Sequence, residues 1–321
     1  MQLKVAEIVQ RTADIRSFVL KHPQGAPLPG FTAGAHVNVE VRLHDGSAAQ
    51  RSYSLVNRSV GGAVGHYEIG VLRQAGGRGG SLHMHDAVVP GALIELSEPV
   101  NGFPLVDGAP HHTLIAGGIG VTPILCMARV LSERNAIVDL HYFGRSPESL
   151  AFRDELRALA GLALHEVHTS DPAVARAALA QAIGSFDPQR HLYVCGPGGM
   201  IQSVIDICAQ TGWEEHHVHY ELFSSQVVGR SNKVFSVHLL RTGQHIEVPA
   251  DVTLLDALLA HGIDVPHDCR AGVCGSCLTP VGSGAVDHRD SFLTEDDRRQ
   301  GGLMCVCVSR SADGGEIELD I

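Results

Sequence analysis

Four cysteines near the end of the chain have the spacing of an iron–sulfur ligand set. Cys269, Cys274 and Cys277 form a C-x4-C-x2-C run, and Cys307 follows after a long interval. In plant-type [2Fe–2S] sites one short loop supplies three thiolates, and a distant segment supplies the fourth. Buried free thiols or a zinc site are the alternatives, but zinc sites favour paired C-x2-C units. The spacing therefore predicts a [2Fe–2S] cluster and one-electron chemistry.

Two glycine-rich turns follow apolar strands and precede helical patterns, as nucleotide-binding turns do. Glycine lets a backbone approach a pyrophosphate closely, and a helix N-terminus supplies N–H donors. The first turn is not the G-x-G-x-x-G fingerprint, and either turn alone could serve only for tight packing. Because parallel strands end at one edge of a sheet, the two turns together predict a nucleotide crevice. The turn residues are Gly118, Gly120, Thr122 and Pro123 in the first, and Cys195, Gly196 and Pro197 in the second.

A strand segment and a turn in the first third of the chain have residue types that suit a phosphorylated ring cofactor. The segment Arg51-Ser52-Tyr53-Ser54 offers a cation for phosphate, an aromatic ring for stacking and a hydroxyl donor. Arg78-Gly79-Gly80-Ser81 lies where a short helix is predicted to begin, which suits an anion. The alternatives are a partly exposed alternating strand and a loose turn.

Histidine is frequent, with 20 residues that include the pairs His111-His112 and His216-His217. None of them has the H-E-x-x-H spacing of a metal-binding helix. We therefore expect strand and surface positions without a metal role. No Ser-His-Asp or paired-carboxylate hydrolase motif stands out.

The elements that must position these residues fall into three regions. Residues 1–105 alternate like the short strands of an antiparallel β-barrel, with a short helix near Ser81–His85. Residues 106–223 alternate between strands and helices, including a predicted helix over 149–160, and so indicate a parallel α/β sheet. Residues 224–232 are polar and predict a linker. Residues 233–321 predict a small α+β domain, with a hairpin at Thr242-Gly243 and a helix capped by Thr253.

Composition excludes several classes of protein. The chain has 321 residues, enough for two or three domains, and its net charge of −11 argues against a nucleic-acid partner. No apolar run reaches the roughly 18 residues of a membrane span, and the N-terminus lacks an apolar signal core. Scattered cysteines outside the cluster pattern suit a reducing compartment. We therefore expect a cytoplasmic protein without membrane association.

Acidic residues are concentrated in the last quarter of the chain. From Lys233 to Ile321 there are 14 Asp and Glu against 7 Lys and Arg. Such an excess is either a solvated surface or a docking face for a basic partner protein. We expect Asp287, Asp290 and Glu295, which follow the cysteine run, to belong to that docking face.

The order of these motifs resembles one family over the whole length of the chain, the phthalate dioxygenase reductase and vanillate O-demethylase reductase family. Further matching segments are His219-Tyr-Glu221-Leu-Phe223, Asp287-His-Arg-Asp290 and Cys307-Val-Ser-Arg310. The resemblance implies a flavin barrel like that of ferredoxin reductase, an NADH domain and a C-terminal β-grasp ferredoxin. Members of the family hold FMN and reduce the Rieske centre of a partner oxygenase. We expect a monomer, with a stand-alone diaphorase, a flavin or iron reductase and a redox sensor as alternatives.

The resemblance also implies roles for individual residues. It places Ser54, Thr122, Cys195 and Phe223 around the hydride-transfer site, where the aromatic ring of Phe223 would shield the flavin. Cys305 and Cys307 are both candidates for the fourth cluster ligand, and we choose Cys307 because Val-Ser-Arg follows it as in the family. Arg145 with the nearby Glu148 predicts NADH over NADPH, since a 2′-phosphate site gathers more positive charge. FMN would be contacted by Arg51, Ser52, Tyr53, Ser54, Gly79, Gly80, Ser81 and Phe223. NADH would be contacted by Gly118, Gly120, Thr122, Pro123, Arg145, Cys195, Gly196 and Pro197. The cluster would be ligated by Cys269, Cys274, Cys277 and Cys307.

Overall fold

The computed structural model divides the chain into two compact units, Met1–Leu222 and Phe223–Ile321. It describes every residue except 60, 61, 77, 78, 224–231, 251, 268–271, 273, 274, 291 and 294. Arg78, Cys269, Cys274 and most of the predicted linker therefore lie outside the described residues. None of the described helices is long and apolar enough to cross a membrane.

The first unit begins with antiparallel strands that enclose an apolar core. Alternation along these strands turns residues such as Leu3 and Val5 inwards, where both are fully buried. Two sheets result, in the orders β5-β2-β1-β6 and β4-β3-β7. This confirms the predicted antiparallel barrel and its short helix. The elements are β1 (Gln2–Gln10), β2 (Ile15–Lys21), β3 (Ala35–Arg42), β4 (Ala48–Ser54), β5 (Tyr67–Leu72), α1 (Gly80–Asp86), β6 (Leu93–Glu95) and β7 (Val100–Asn101).

The same unit continues into a five-stranded parallel sheet in the order β10-β9-β8-β11-β12. The chain starts in the central strand β8, moves outwards on one side to β10, and returns to β11 on the other side. The order therefore reverses between β8 and β11, and the ends of these two strands flank the crevice where such sheets bind ligands. The elements are β8 (His111–Gly117), α2 (Val121–Glu133), β9 (Ile137–Gly144), α3 (Arg153–Arg157), β10 (Leu162–His168), α4 (Pro172–Ile183), β11 (Arg190–Cys195), α5 (Gly198–Gln210) and β12 (Val218–Glu221).

The helix predicted over 149–160 is much shorter in the structure. Only Arg153–Arg157 is α-helical, because Phe152 has a left-handed backbone with φ of 58°. The Phe152 ring packs near Gly70 of β5, and the Arg11 guanidinium lies 4.6 Å from the ring centroid. These contacts with the barrel outweigh the local preference for a continuous helix.

The second unit holds a mixed five-stranded sheet in the order β14-β13-β19-β15-β17. The predicted hairpin joins β13 to β14, and Thr253 caps α6 by accepting a hydrogen bond from the Asp256 amide at 3.0 Å. Both local predictions are confirmed. The elements are β13 (Phe235–Leu239), β14 (His245–Val248), α6 (Leu254–Ala260), β15 (Leu278–Ser283), β16 (Val286–Asp287), α7 (Glu295–Gln300), β17 (Leu303–Cys305), β18 (Arg310–Ser311) and β19 (Ile317–Leu319).

Candidate functional site

The two glycine-rich turns meet at the point where the strand order reverses. A Cβ added to Gly120 would lie 2.2 Å from the Cys195 carbonyl oxygen. A Cβ on Gly196 would lie 3.0 Å from the Gly117 Cα. The backbones approach so closely that a side chain at either position would separate them. The absence of side chains at Gly120 and Gly196 therefore serves packing between the two turns.

The remaining residues of the first turn divide into packed and open positions. Thr122 is buried, its Oγ1 donates to the Ile119 carbonyl at 3.0 Å, and its methyl group packs against Gly70 of β5. Gly118 has φ of 53°, and nothing lies within 4 Å of the place where its Cβ would stand. Gly118 is thus the residue of this turn that leaves room for a ligand, while Thr122 holds the turn against the barrel.

The other residues predicted for the nucleotide site lie at the same edge of the sheet. Pro123 is buried in the first turn of α2, and Pro197 precedes α5 directly. Arg145 is exposed and follows β9, the neighbour of β8. The edge therefore collects backbone donors, one open glycine and one exposed cation.

Arg51 of β4 lies against the start of α1. A Cβ on Gly80 would stand 3.0 Å from Arg51 Cγ and Nε, and a Cβ on Gly79 would stand 2.8 Å from the His44 amide nitrogen. The two glycines thus allow Arg51 and the His44 backbone to approach the start of α1 more closely than a side chain would permit. The guanidinium donors of Arg51 fit a phosphate group.

The neighbouring hydroxyl groups have partners within the barrel. Ser52 Oγ donates to Asn38 Oδ1 at 2.6 Å, and Ser81 Oγ accepts from the Gln74 amide at 3.1 Å. Burial raises the pKa of Tyr53, so this phenol stays neutral at physiological pH. Ser52 is thus occupied by a barrel contact, and Tyr53 offers an uncharged ring.

A buried carboxylate that we did not predict as a site residue lies beside Ser54. Glu221, the last residue of β12, is 8% exposed, and its Oε2 accepts from Ser54 Oγ at 3.3 Å. Burial raises the pKa of Glu221 to about 8. This carboxyl group holds a proton at neutral pH.

Cys195 pairs with Glu221 in the register of β11 and β12 and is fully buried. Burial, and then the nearby Glu221, raise the pKa of the Cys195 thiol well above its ordinary value. Ser54, Cys195 and Glu221 therefore form a buried group of protonated polar atoms between the barrel and the parallel sheet. In the sequence, only the match of the segment His219-Tyr-Glu221-Leu-Phe223 to the family indicated that Glu221 could belong to a site. A single acidic residue in a strand has no spacing pattern that would predict a site role.

Phe223 stands two residues beyond β12 and is 42% exposed. Phe223 is the first residue of the second unit and directly follows Leu222. Its predicted role over a flavin stays a prediction.

Three buried thiols come together in the second unit. Cys277 lies directly before β15, and its thiol is in hydrogen-bond contact with both Cys305 and Cys307. All three are at most 2% exposed, and the described cysteines form no disulfides. A buried set of unlinked thiols suits a [2Fe–2S] cluster. These contacts do not show whether the fourth cluster ligand is Cys305, the last residue of β17, or Cys307 in the following turn.

Two glycines of the predicted cluster loop have backbones that require glycine. Gly272 and Gly275 have φ of 74° and 73°. A Cβ on Gly272 would stand 2.7 Å from Val308, and a Cβ on Gly275 would stand 2.3 Å from the Phe292 ring. Gly272 thus lies directly against Val308, which follows Cys307, and Gly275 lies against Phe292, which is 43% exposed.

The acidic residues that we expected to form a docking face after the cysteine run are largely internal, so this expectation was wrong for two of them. Asp290 is 5% exposed, and its Oδ2 accepts from the Leu293 amide at 2.8 Å. Asp287 pairs with Arg289 at 2.6 Å, with both side chains under 10% exposed. These carboxylates hold the segment beneath the cluster loop, because backbone and guanidinium donors surround them. Glu295 begins α7.

Three segments of the chain match known domain families, and they follow the same order as the motifs. Residues 2–103 match the oxidoreductase FAD-binding domain, and residues 237–311 match the 2Fe-2S iron-sulfur cluster binding domain. Residues 96–218 match the N-terminal domain of proteins like the dimethylamine monooxygenase subunit DmmA. The first two matches are to a flavin-binding and a cluster-binding domain.

Relatives match the chain from end to end. The vanillate O-demethylase oxidoreductase of Acinetobacter baylyi is 36% identical over 312 residues, covering 97% of this chain and 96% of its own. The heme-dependent oxidative N-demethylase beta subunit of Ectopseudomonas mendocina is 38% identical over 323 residues, covering 100% and 99%.

A solved phthalate dioxygenase reductase, described as a modular structure for electron transfer from pyridine nucleotides to [2Fe–2S], is also similar. It is 39% identical with a TM-score of 0.69, and the match covers 100% of this chain and 98% of that one. The resemblance seen in the motifs is therefore confirmed. The chain belongs to the family of iron–sulfur flavoprotein oxidoreductases that includes vanillate O-demethylase oxidoreductase and phthalate dioxygenase reductase.

Proposed function

We propose that the protein is the reductase component of an oxygenase system, and that it passes electrons from NADH through FMN and a [2Fe–2S] cluster to a terminal Rieske oxygenase. Residues 1–105 would hold FMN, residues 106–223 NADH, and residues 233–321 the cluster, joined by residues 224–232. The observation that carries the proposal is the meeting of both glycine-rich turns beside Ser54 and Glu221. A nicotinamide bound at the sheet edge beside these turns would reach a flavin held along β4.

The bound cofactors would supply the redox chemistry, since flavin exchanges two electrons with a nicotinamide and the cluster carries one. The chain supplies position and environment. Ser54 would offer its hydroxyl to the flavin ring in place of its contact with Glu221. Gly118 would leave room for the nicotinamide nucleotide, and protonated Glu221 would keep negative charge away from the reacting rings. Reacting groups held in contact gain much of their rate from this placement alone.

We infer FMN rather than FAD because the guanidinium of Arg51, which packs against Gly80 at the start of α1, suits a terminal phosphate. A Gly80→Ala substitution should push Arg51 aside and weaken FMN binding by about tenfold, the cost of one charge-assisted contact. Fluorescence titration of the flavin-free protein with FMN measures this, with FAD in a parallel titration. Gly62→Ala is the matched control, because nothing lies within 4 Å of its Cβ position. Equal affinities in both variants, or tighter binding of FAD, would contradict the assignment.

We expect NADH to be preferred over NADPH. Arg145 is the exposed cation at the edge of the parallel sheet, and Glu148, three residues later, is also exposed. A 2′-phosphate would meet a carboxylate as well as a guanidinium there. Comparing kcat/KM for the two coenzymes in the wild type and in Arg145→Ala tests this. Better use of NADPH by the wild type, lost in Arg145→Ala, would reverse the assignment.

The function itself is tested by mixing the reduced holoenzyme with a panel of purified Rieske oxygenases and following NADH oxidation coupled to product. Turnover that requires one oxygenase supports the proposal. Fast NADH oxidation with small acceptors but with no oxygenase would favour a diaphorase. A heme-dependent oxygenase belongs in the panel as a second candidate, because one end-to-end relative is the beta subunit of a heme-dependent N-demethylase.

We propose that the partner docks on the exposed ring of Phe292. This ring covers Gly275 of the cluster loop and is 43% exposed, whereas the nearby Asp287 and Asp290 are paired internally. Phe292→Ala should slow reduction of the oxygenase about tenfold or more, as loss of an aromatic interface residue does. Reduction of ferricyanide by NADH should be unchanged. Leu240→Ala is the control, because Leu240 is also 43% exposed and lies in the same unit. Equal rates of oxygenase reduction by the two variants would show that the partner docks elsewhere.

A further inference from the structure

We propose that Glu214, His216 and His217 form a binding site for a divalent transition-metal cation of the zinc class. His216 and His217 lie in the short 3-10 turn Glu215–His217 that leads into β12, and Glu214 directly precedes this turn. One possible ligand atom from each of the three lies within 4.8 Å of the others. The sequence did not predict a metal at these residues, because they lack the H-E-x-x-H spacing of a metal-binding helix. Here a tight turn brings the side chains together instead.

Two of the ligand atoms already have a separation that suits a metal ion. His216 Nε2 lies 3.4 Å from Glu214 Oε2. Two ligands bound at 2.0–2.1 Å to a tetrahedral zinc ion are about 3.3 Å apart. The rival explanation is a simple ion pair between Glu214 and a protonated His216. Both side chains are more than half exposed, and ion pairs between such groups contribute little stability.

His217 carries the second, independent observation. The residue is 7% exposed, and its Nε2 lies 3.3 Å from the Pro188 carbonyl oxygen. A carbonyl can only accept, so Nε2 holds the proton and Nδ1 presents a lone pair. Nδ1 is buried and has no hydrogen-bond partner within the described part of the chain. A histidine that donates one N–H to a backbone carbonyl and leaves its other nitrogen bare has the arrangement typical of a metal ligand.

The His217 ring is also held in place by its neighbours. Phe186 packs edge-on with ring centroids 5.1 Å apart, and the His191 ring lies 4.6 Å away on β11. The buried ligand is therefore positioned in advance, while Glu214 and His216 are exposed and can close on the ion. Two imidazoles and one carboxylate leave a fourth position for water, which suits zinc, nickel or cobalt.

Calorimetric titration of the holoenzyme with Zn²⁺ tests the site. We expect one site per chain that binds more tightly than the scattered histidines, and binding at least about tenfold weaker in Glu214→Gln and in His216→Ala. Both substitutions are at exposed residues, so folding should be preserved. His245→Ala and Glu316→Gln are the controls, because these residues form an exposed pair of the same types at 2.9 Å in the other unit. Cluster absorbance at each zinc addition shows that the [2Fe–2S] site is intact.

A second measurement does not depend on counting sites. Zinc should raise the temperature at which fluorescence of Trp213, the single tryptophan, reports unfolding of the first unit, and the chelator EDTA should reverse the rise. Glu214→Gln and His216→Ala should lose most of that rise. Equal zinc binding by the wild type and both variants, or no tight binding at all, would overturn the proposal. Neither measurement involves electron transfer, so the result is independent of the proposed function.

Discussion

Replacement of Cys307 by Ser is expected to remove the [2Fe–2S] cluster, whereas Cys305→Ser is expected to keep it. Both thiols contact Cys277, so proximity alone does not separate them. Cys307 is favoured because the Val-Ser-Arg segment that follows it matches the family. That segment is also firmly anchored, since Arg310 donates to the Pro249 carbonyl at 2.8 Å and lies over the Phe235 ring. Ser is a poor substitute for a thiolate ligand, so loss of iron should be almost complete.

Iron analysis and electron paramagnetic resonance of the dithionite-reduced variants decide between the two cysteines. Cys277→Ser serves as the positive control for cluster loss. NADH-to-ferricyanide activity should survive in all three variants, because the residues predicted to contact flavin and nucleotide, except Phe223, lie in the other unit. Retained iron in Cys307→Ser together with lost iron in Cys305→Ser would assign the fourth ligand to Cys305.

Glu221→Gln is expected to stabilise the first unit increasingly as pH rises from 5 to 8. Burial raises the pKa of Glu221 from its ordinary value of 4.5 to about 8. Between these values the folded protein keeps a proton that the unfolded chain has lost, so the free energy of unfolding falls as pH rises. The slope reaches about 1.4 kcal/mol per pH unit. Glutamine cannot ionise, so the variant should gain roughly 3–5 kcal/mol over the wild type above pH 8.

Denaturant unfolding of the holoenzyme at several pH values, followed by Trp213 fluorescence, measures this difference. Trp213 is 7% exposed in the first unit and is the single tryptophan, so the signal reports this unit alone. Any new contact of the glutamine amide would add a constant offset, which a pH series separates from the proton effect. Glu40→Gln, at an exposed position of β3, is the control. Parallel pH curves for wild type and Glu221→Gln would show that Glu221 ionises normally in the folded protein.

Local features of the sequence determined most of the architecture. Strand alternation, the hairpin at Thr242-Gly243 and the Thr253 cap depend on residues that are close together in sequence, so a linear pattern is enough to predict them. Cysteine spacing likewise identified the iron–sulfur domain, and the two glycine-rich turns predicted a nucleotide site. These motifs work because a cluster loop or a phosphate turn is built from a few consecutive residues.

Contacts between distant segments decided the rest. Ser54 and Glu221 are 167 positions apart, and only the packing of the barrel against the parallel sheet buries this carboxylate beside a hydroxyl. From the sequence alone Asp290 is expected at the surface. In the structure it accepts a hydrogen bond from the Leu293 amide and packs against Gly272. Phe152 interrupts a helix that its own sequence favours, because the barrel surface and Arg11 bind its ring. Burial changes the protonation, pairing or conformation of such residues, and burial is a property of the tertiary structure, which no linear spacing encodes.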